Sequence, residues 1–389
     1  MRGARRGVQD IILLLCAAVV MLTACHKEDG EQPVIYDETL LMYMPWTTNL
    51  TNNLQQNIIA MKRAIQQAGG LGTKRLLVFI AKSSTQADLY EVKYSGGACI
   101  NDTLHRYTFP ETDYTTAEGL TSILTDALEA TNTEKYSMII GCHGSGWLPV
   151  GKDLKAPKRR AFGTASATPR YQTEISTLAR AIDNVQMPMQ FILFDDCYMA
   201  GIEVAYELRN ATHYLIGSTC EIMDYGMPYE QCGIPLLAHD YYMTCQRFYD
   251  FYSSYSYPYG TLSVIDCSQT EQMAELMKRI NAKYDIEDSR LTNVQVLDGC
   301  TVPLFFDMGS YVHALVTDPS DPLLQEFNSL MKLLVPHGCH TPNYVSYLHI
   351  RSGAVFPINT YSGITISDPT QNSEATSVNA TSWWAASHQ

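Results

Sequence analysis

The chain has 389 residues, of which 46% are hydrophobic and 17% are charged. This composition is typical of a globular protein with enough apolar residues for one large domain or two. The formal net charge of −13 argues against a nucleic-acid partner, because an acidic surface repels phosphate.

The N-terminus has the composition of a bacterial targeting segment. A basic start, with Arg2, Arg5 and Arg6, precedes an apolar run over residues 11–22. This run is too short to span a bilayer comfortably, so it indicates a signal peptide and not a membrane helix.

The residues after the apolar run indicate a lipid anchor. Leu22-Thr23-Ala24-Cys25 resembles a lipobox, in which residues 1–24 are removed and Cys25 becomes a lipidated N-terminus. An ordinary secretory signal is the alternative. We expect residues 25–36 to be a polar tether that holds the protein in the bacterial cell envelope, at the outer membrane or the cell surface.

Strand-like and helix-like patterns alternate after the tether. Apolar runs predict strands over residues 40–44, 75–80, 136–141, 191–194, 214–217 and 261–266. Helices are predicted over 52–68, behind a capping box at Thr115-x-x-Glu118, over 173–183, after Cys197 and over 271–284. A β-hairpin is predicted over 87–107. This order predicts an α/β fold with a mostly parallel central sheet flanked by helices.

The pattern is weaker towards the C-terminus. A helix is predicted over 323–334, with Asp321 as its N-cap, and strands over 344–350 and 363–366. His337 and His340, beside prolines and a glycine, indicate a surface turn and not a metal site. We therefore divide the chain into a core at 37–266 and a C-terminal accessory subdomain at 267–389.

Two chemically reactive residues follow predicted strands. Cys197 comes directly after an apolar strand and Asp195-Asp196, and His143 follows the strand that ends at Gly141. Open α/β sheets bind ligands at the carboxyl ends of their strands, and a helix start near Cys197 would favour its thiolate. This arrangement suggests a thiol nucleophile with a histidine base, since a histidine about 50 residues upstream of a cysteine is the order in caspases.

These motifs resemble the clostripain family of cysteine peptidases. A strand followed by His143-Gly-Ser-Gly-Trp, and a strand followed by Asp195-Asp-Cys-Tyr-Met, carry the resemblance, together with Ser218-Thr-Cys-Glu-Ile and Gly226-Met-Pro-Tyr. The resemblance implies a caspase-like three-layer sandwich and a cysteine endopeptidase that acts on proteins or peptides. It also implies that the Gly144 N–H helps to bind the oxyanion.

The resemblance further implies cleavage after arginine or lysine. The family uses an aspartate two residues before the nucleophile to line its specificity pocket, which corresponds to Asp195. Asp224, or less readily Glu221, would supply a second carboxylate, while a structural cap for the following helix is the alternative role of Asp195. Asp196 stands where the family has a small residue, and a carboxylate there would oppose thiolate formation.

Other features remain open at this stage. Residues 155–160 form a basic stretch in a long loop, which is either a solvated surface loop or a site of self-cleavage. The resemblance raises a structural calcium ion, although no EF-hand spacing is present, and we expect neither a catalytic metal nor a cofactor. We expect a monomer. The competing function is a catalytically impaired surface lipoprotein that binds glycan or protein through the tyrosine-rich residues 241–259.

Overall fold

The computed structural model describes residues 36–109, 115–150, 162–163, 172–286, 288–348, 353–370 and 375–388. Its strands are β1 Glu38–Met44, β2 Lys74–Ser83, β3 Gln86–Ser95, β4 Ala98–Thr108, β5 Lys135–Ile140, β6 Phe162–Gly163, β7 Gln172–Thr173, β8 Met189–Phe194, β9 Thr212–Gly217, β10 Thr261–Asp266, β11 Phe306–Asp307, β12 His337–His340, β13 Asn343–Ser346, β14 Ala354–Pro357 and β15 Thr365–Ile366.

Helices surround the sheet that these strands form. They are α1 Thr51–Ala68, α2 Ala117–Thr131, α3 Ile175–Asn184, α4 Ile202–Glu207, α5 Tyr229–Leu237, α6 Tyr241–Ser253, α7 Thr270–Asn281, α8 Asp288–Leu291, α9 Met308–Leu315, α10 Pro322–Leu334 and α11 Ser382–His388. Short 3-10 helices cover Cys267–Gln269 and Ala375–Ala380.

A nine-stranded sheet in the order β12-β10-β9-β8-β5-β1-β2-β3-β4 is the centre of the fold. The five strands from β9 to β2 are parallel, and two antiparallel strands extend the sheet at each edge. The central strands are buried on both faces, as every residue of β1 shows, which explains their continuous apolar runs. The predicted mostly parallel sheet and caspase-like layering are confirmed.

The helices pack in two groups that flank this sheet. α5 contacts both α1 and α6, and α2, α3, α4, α7, α10 and α11 form a second connected group. The amphipathic stripe predicted for α1 is buried as Leu54, Ile58, Met61 and Ile65. Burial of such stripes against the sheet is the main source of helix stability in a fold of this kind.

The connections put the ends of several strands close together. The chain passes from β1 to β2 on one side and later continues through β5, β8 and β9 on the other side of β1. Loops that leave the carboxyl ends of β1, β5, β8 and β9 therefore open at one edge of the sheet, where such folds form their ligand crevice.

Several sequence predictions need correction. The tyrosine-rich residues 241–259 lie mostly in α6, which the sequence analysis did not predict as a helix. The predicted surface turn around His337 and His340 is β12, an edge strand that pairs with β10. The N-cap of α2 is Thr116 and not Thr115, since its side chain accepts a hydrogen bond from Gly119 N.

The C-terminal part of the chain is closely joined to the rest. It contributes β12 to the central sheet, and Thr365 pairs with Gly201 through an isolated bridge. The described residues from Tyr36 onward form one compact unit. The division into a core at 37–266 and an accessory subdomain at 267–389 stays a prediction.

Candidate active site

The ends of β5 and β8 bring two predicted residues into one cleft. These strands are parallel neighbours, with Ile140 opposite Phe194, and Asp195 N donates a hydrogen bond to Ile140 O at 2.8 Å. The loops that follow therefore leave the sheet side by side. Both His143 and Cys197 line the resulting cleft, whose volume is about 310 Å³.

Three other segments complete this cleft. The loop before α1 supplies Asn49, and the first part of α1 supplies Asn53 and Asn57. The loop after β9 supplies Ile222, Met223, Asp224 and Gly226, and Tyr347 follows β13. The cleft thus combines a thiol, an imidazole, amides and carboxyl groups with a few apolar side chains, a mixture suited to binding an extended polar ligand.

Cys197 lies in a tight turn that limits its freedom. Its side chain is 4% exposed, and Sγ lies 3.5 Å from Ile222 O. The next residue, Tyr198, has a φ of 63°, which is unusual for a bulky residue. Its ring stacks on Phe305 at 4.9 Å, and its hydroxyl donates to Glu221 at 3.2 Å. These contacts hold a strained turn that aims the thiol into the cleft.

The predicted contribution of a helix dipole to Cys197 is wrong. α4 begins only at Ile202, and its N-cap is Gly201. The field of a helix end falls off within one turn, so α4 is too distant and too short to favour the thiolate. The same observation removes the alternative role of Asp195 as the cap of this helix.

Gly144 lies against the backbone of the Cys197 turn. A Cβ atom at this position would come within 2.6 Å of Cys197 O and 2.7 Å of Asp196 Cβ. Only glycine fits without displacing the turn. Within the part of the chain that the structure describes, no hydrogen bond from the Gly144 N–H occupies this donor.

His143 is held by two residues that the sequence analysis did not identify. The edge of its ring meets Trp46 at 4.7 Å, and its Nε2 lies 3.1 Å from Asn49 Nδ2. Both residues follow the carboxyl end of β1. Their signal in the sequence is the one that identifies His143 and Cys197, a position just after the carboxyl end of a parallel strand.

Asp195 lies at the floor of the cleft. It accepts hydrogen bonds from Met227 N at 2.8 Å, Tyr229 Oη at 2.9 Å and Asn57 Nδ2 at 3.2 Å. Burial raises its pKa to about 7, more than these hydrogen bonds lower it. A Cβ at Gly226 would lie 2.6 Å from Asp195 Oδ2, so this glycine keeps the carboxyl group accessible from the cleft.

Asp196 has different partners from Asp195 and links the loop after β8 to the loop after β5. Its Oδ1 accepts a hydrogen bond from Cys142 N at 2.6 Å, and its Oδ2 lies 3.3 Å from Cys142 Sγ. Burial raises the pKa of Asp196 to about 8, so the group is mainly neutral at pH 7. A neutral carboxyl group opposes the thiolate less than the carboxylate that the sequence analysis assumed.

The two other candidate carboxylates have different surroundings. Asp224 is exposed and lines the cleft. Glu221 is buried and is not among the residues that line the cleft. Its Oε1 accepts hydrogen bonds from Ser346 Oγ at 2.5 Å and Tyr347 N at 3.0 Å. Glu221 thus supports the wall that carries Tyr347.

Some predicted sites lie outside the described residues. They include Cys25, the tether and the basic stretch over residues 155–160.

Across the described ranges, no helix is long and apolar enough to cross a membrane, and no group of His, Cys, Asp or Glu side chains is suited to hold a metal ion. The nine cysteines in the described ranges, from Cys99 to Cys339, are all in the thiol form and not in disulfides.

Comparison with protein families identifies the chain. The clostripain family, Peptidase_C11, matches residues 42–337, a range that contains every residue lining the cleft except Tyr347. The chain belongs to the clostripain family of cysteine peptidases. The predicted family and enzyme class are confirmed, and the alternative of a binding lipoprotein is not favoured.

Solved structures of clostripain-family proteins are similar to this peptidase. A secreted C11 cysteine protease from Bacteroides thetaiotaomicron, "iotapain", is 43% identical, with 92% of this chain and 100% of that chain covered and a TM-score of 0.84. A clostripain from the same species, in complex with the peptide inhibitor BTN-VLTK-AOMK, is 46% identical over 56% of this chain and 96% of its own, with a TM-score of 0.53.

A more distant structure shares the fold alone. An inactive zymogen C11 protease from Parabacteroides distasonis is 24% identical, with 92% of this chain and 100% of that chain covered and a TM-score of 0.78. A comparison with curated proteins finds no match.

Proposed function

We propose that this clostripain-family endopeptidase uses Cys197 as nucleophile and His143 as general base and acid. The observation that carries the proposal is their shared cleft at the ends of adjacent parallel strands, β5 and β8. The thiol and the imidazole are there presented to the same ligand, and Gly144 and the Tyr198 turn hold the two loops together.

The chemistry follows the usual course of acyl transfer to a thiol. His143 takes the proton of Cys197, and Sγ attacks the carbonyl carbon of the peptide bond. The C–N bond then breaks as the imidazolium gives its proton to the departing amine. A water molecule, deprotonated by His143, attacks the thioester carbonyl, which releases the acid product and restores the thiol.

Gly144 supplies a donor for the negative oxygen of the tetrahedral intermediate. Its N–H lies in the loop that packs on Cys197, and the fit excludes any side chain at this position. Removal of one such donor typically lowers kcat by about 10²–10³-fold. Close packing of the two loops thus serves the reaction as well as stability.

The enzyme cleaves after arginine or lysine in this proposal. Asp195 at the floor and Asp224 near the rim present carboxyl groups from two sides of one cleft. A substrate cation would stabilise the ionised form of Asp195, which burial disfavours when the cleft contains no cation. The peptide inhibitor of the related clostripain has a sequence, VLTK, that ends in lysine.

The mature enzyme is proposed to be a lipid-anchored monomer of the bacterial cell envelope. Leu22-Thr23-Ala24-Cys25 supports the anchor, and a related protease is described as secreted.

We also propose self-cleavage within residues 155–160, whose lysines and arginines match the proposed specificity. The intact mass of active protein tests this, since a single uncut chain with full activity would exclude required processing.

Replacement of Cys197 by alanine tests the catalytic proposal. The variant should lose peptidase activity and keep its melting temperature, because one sulfur atom at the cleft contributes little packing. His143→Ala should also be inactive, whereas Cys99→Ala, outside the cleft, should retain activity. Measurable turnover by Cys197→Ala would exclude the mechanism.

A mixed peptide library tests the specificity independently. Mass spectrometry of the cleavage products should find arginine or lysine immediately before the cut bond. Dominant cleavage after aspartate, asparagine or an apolar residue would overturn the proposed specificity and leave the catalytic proposal intact.

A further inference from the structure

We propose that Asn49 is a third member of the catalytic apparatus, a positioning residue that fixes the ring of His143 and stabilises its charged form. This inference rests on the proposed roles of Cys197 and His143. Asn49 comes from a third strand end, beyond the two that carry those residues.

The fold brings Asn49 to His143 through strand pairing. β1 lies beside β5 with Tyr43 opposite Ile140, and Gly141 N donates to Tyr43 O at 3.1 Å. The loop after β1 therefore runs along the loop that carries His143. Asn49 lies in this loop just before α1 and lines the cleft.

The hydrogen bonds define which way the Asn49 amide points. Trp46 Nε1 donates to Asn49 Oδ1 at 2.8 Å, and Thr48 Oγ1 lies 3.3 Å from the same oxygen. An indole N–H can only donate, so the atom of the amide that faces Trp46 must be the oxygen. The buried Trp46 thus fixes the orientation in which Asn49 meets the imidazole.

The imidazole meets both atoms of this amide at one nitrogen. Asn49 Nδ2 lies 3.1 Å from His143 Nε2, and Asn49 Oδ1 lies 3.3 Å from it. When the imidazolium forms, its Nε2–H can donate to Oδ1. In this proposal the ring exchanges protons with the thiol and the leaving amine through its other nitrogen, Nδ1.

This contact favours the state in which Cys197 has lost its proton. In the neutral ring Nε2 accepts a hydrogen bond from Asn49 Nδ2, whereas in the imidazolium Nε2–H donates to Asn49 Oδ1. Because a hydrogen bond from a charged donor is stronger than a neutral one, Asn49 stabilises the imidazolium more than the neutral ring. Trp46, whose edge-on contact restricts the ring of His143, adds to its orientation. Together the two residues should keep the thiolate–imidazolium pair present at lower pH.

The test measures alkylation of Cys197 by iodoacetamide as a function of pH, together with hydrolysis of an arginine peptide amide. Asn49→Ala should lower kcat/KM by about 10- to 100-fold, with KM changed less than about threefold. The same variant should move the pH midpoint of alkylation upward by about one unit, because the imidazolium loses its acceptor. Asn49→Asp should move the midpoint downward, since a carboxylate stabilises the cation further.

Two controls accompany these variants. Trp46→Phe keeps a ring against His143 but removes the indole N–H, so its loss of kcat/KM should be smaller than that of Asn49→Ala. Asn52→Ala changes an exposed asparagine at the start of α1 and should leave both kcat/KM and the alkylation midpoint unchanged.

The outcomes separate this inference from the function on which it rests. If His143→Ala or Cys197→Ala remains active, the catalytic pair is wrong. If both are inactive while Asn49→Ala keeps the wild-type pH profile and kcat/KM, the role of Asn49 is wrong. Should Asn49→Ala fold poorly, the isosteric Asn49→Asp decides, because an unchanged alkylation midpoint in that variant also overturns the inference.

Discussion

Replacing Asp195 by asparagine removes the carboxylate at the floor of the cleft and keeps the shape of the side chain. A hydrogen-bonded pair between this carboxylate and a substrate cation is worth about 1.5–3 kcal/mol. Its loss should lower kcat/KM for arginine and lysine peptides by about tenfold to more than a hundredfold. A matched glutamine peptide, which carries no cation, should be affected far less.

Although Asp195→Asn should lower activity, it should preserve or raise the stability of the fold at pH 8. The folded-state pKa of Asp195, about 7, lies above the ordinary aspartate value of 3.8. The unfolded chain therefore releases this proton first, and folding loses stability as the pH rises from about 4 to 7. This difference amounts to about 4 kcal/mol at pH 8, partly offset in Asp195→Asn by the poorer partners it offers to Asn57 and Tyr229.

The assay compares kinetics and melting temperature in one set of variants. For Asp195→Asn we expect a large kinetic loss on cationic substrates and a melting temperature at pH 8 that is equal or higher. Asp240→Ala is the control, since Asp240 caps α6 through Met243 N and should lower the melting temperature without changing selectivity. Equal losses on arginine and glutamine peptides, together with a lower melting temperature, would refute the reasoning.

Two further predictions rest on the structure and one on the N-terminal sequence. Gly144→Ala should lower kcat/KM by at least about 100-fold, because the new methyl group would displace the Cys197 turn. A variant with normal kinetics would contradict the close fit. The free energy of unfolding, measured with urea, should fall between pH 5 and pH 9. Burial raises the pKa of Asp195, Asp196 and Glu203 to about 7–8, so the unfolded chain gives up these protons at lower pH than the folded chain. A free energy that rises over this range would contradict the prediction. Cys25→Ser should block lipidation, which the mass of the N-terminal peptide measures. A wild-type protein that partitions into the aqueous phase of a detergent extraction would exclude the anchor.

Local sequence patterns predicted much of this fold because parallel strands are buried on both faces. β1, β2, β5, β8 and β9 each appear as a short apolar run, and α1 and α2 as clear stripes. The edge of the sheet was less predictable. β12 contains His337, Gly338 and His340, and an edge strand needs no apolar run since one of its sides is unpaired.

The sequence by itself determined which residues follow the ends of the strands, and so it identified His143, Cys197 and Asp195. Strand order alone then brings them together, because the carboxyl ends of parallel neighbours must lie side by side. The sequence alone could not determine which way each side chain points. Asp195 and Asp196 are adjacent, yet one faces the cleft beside Gly226 and the other bonds to Cys142. Asn49 lies against His143 only because β1 pairs with β5, a contact between distant parts of the chain. Such contacts depend on the packing of several segments at once, and only the tertiary structure decides them.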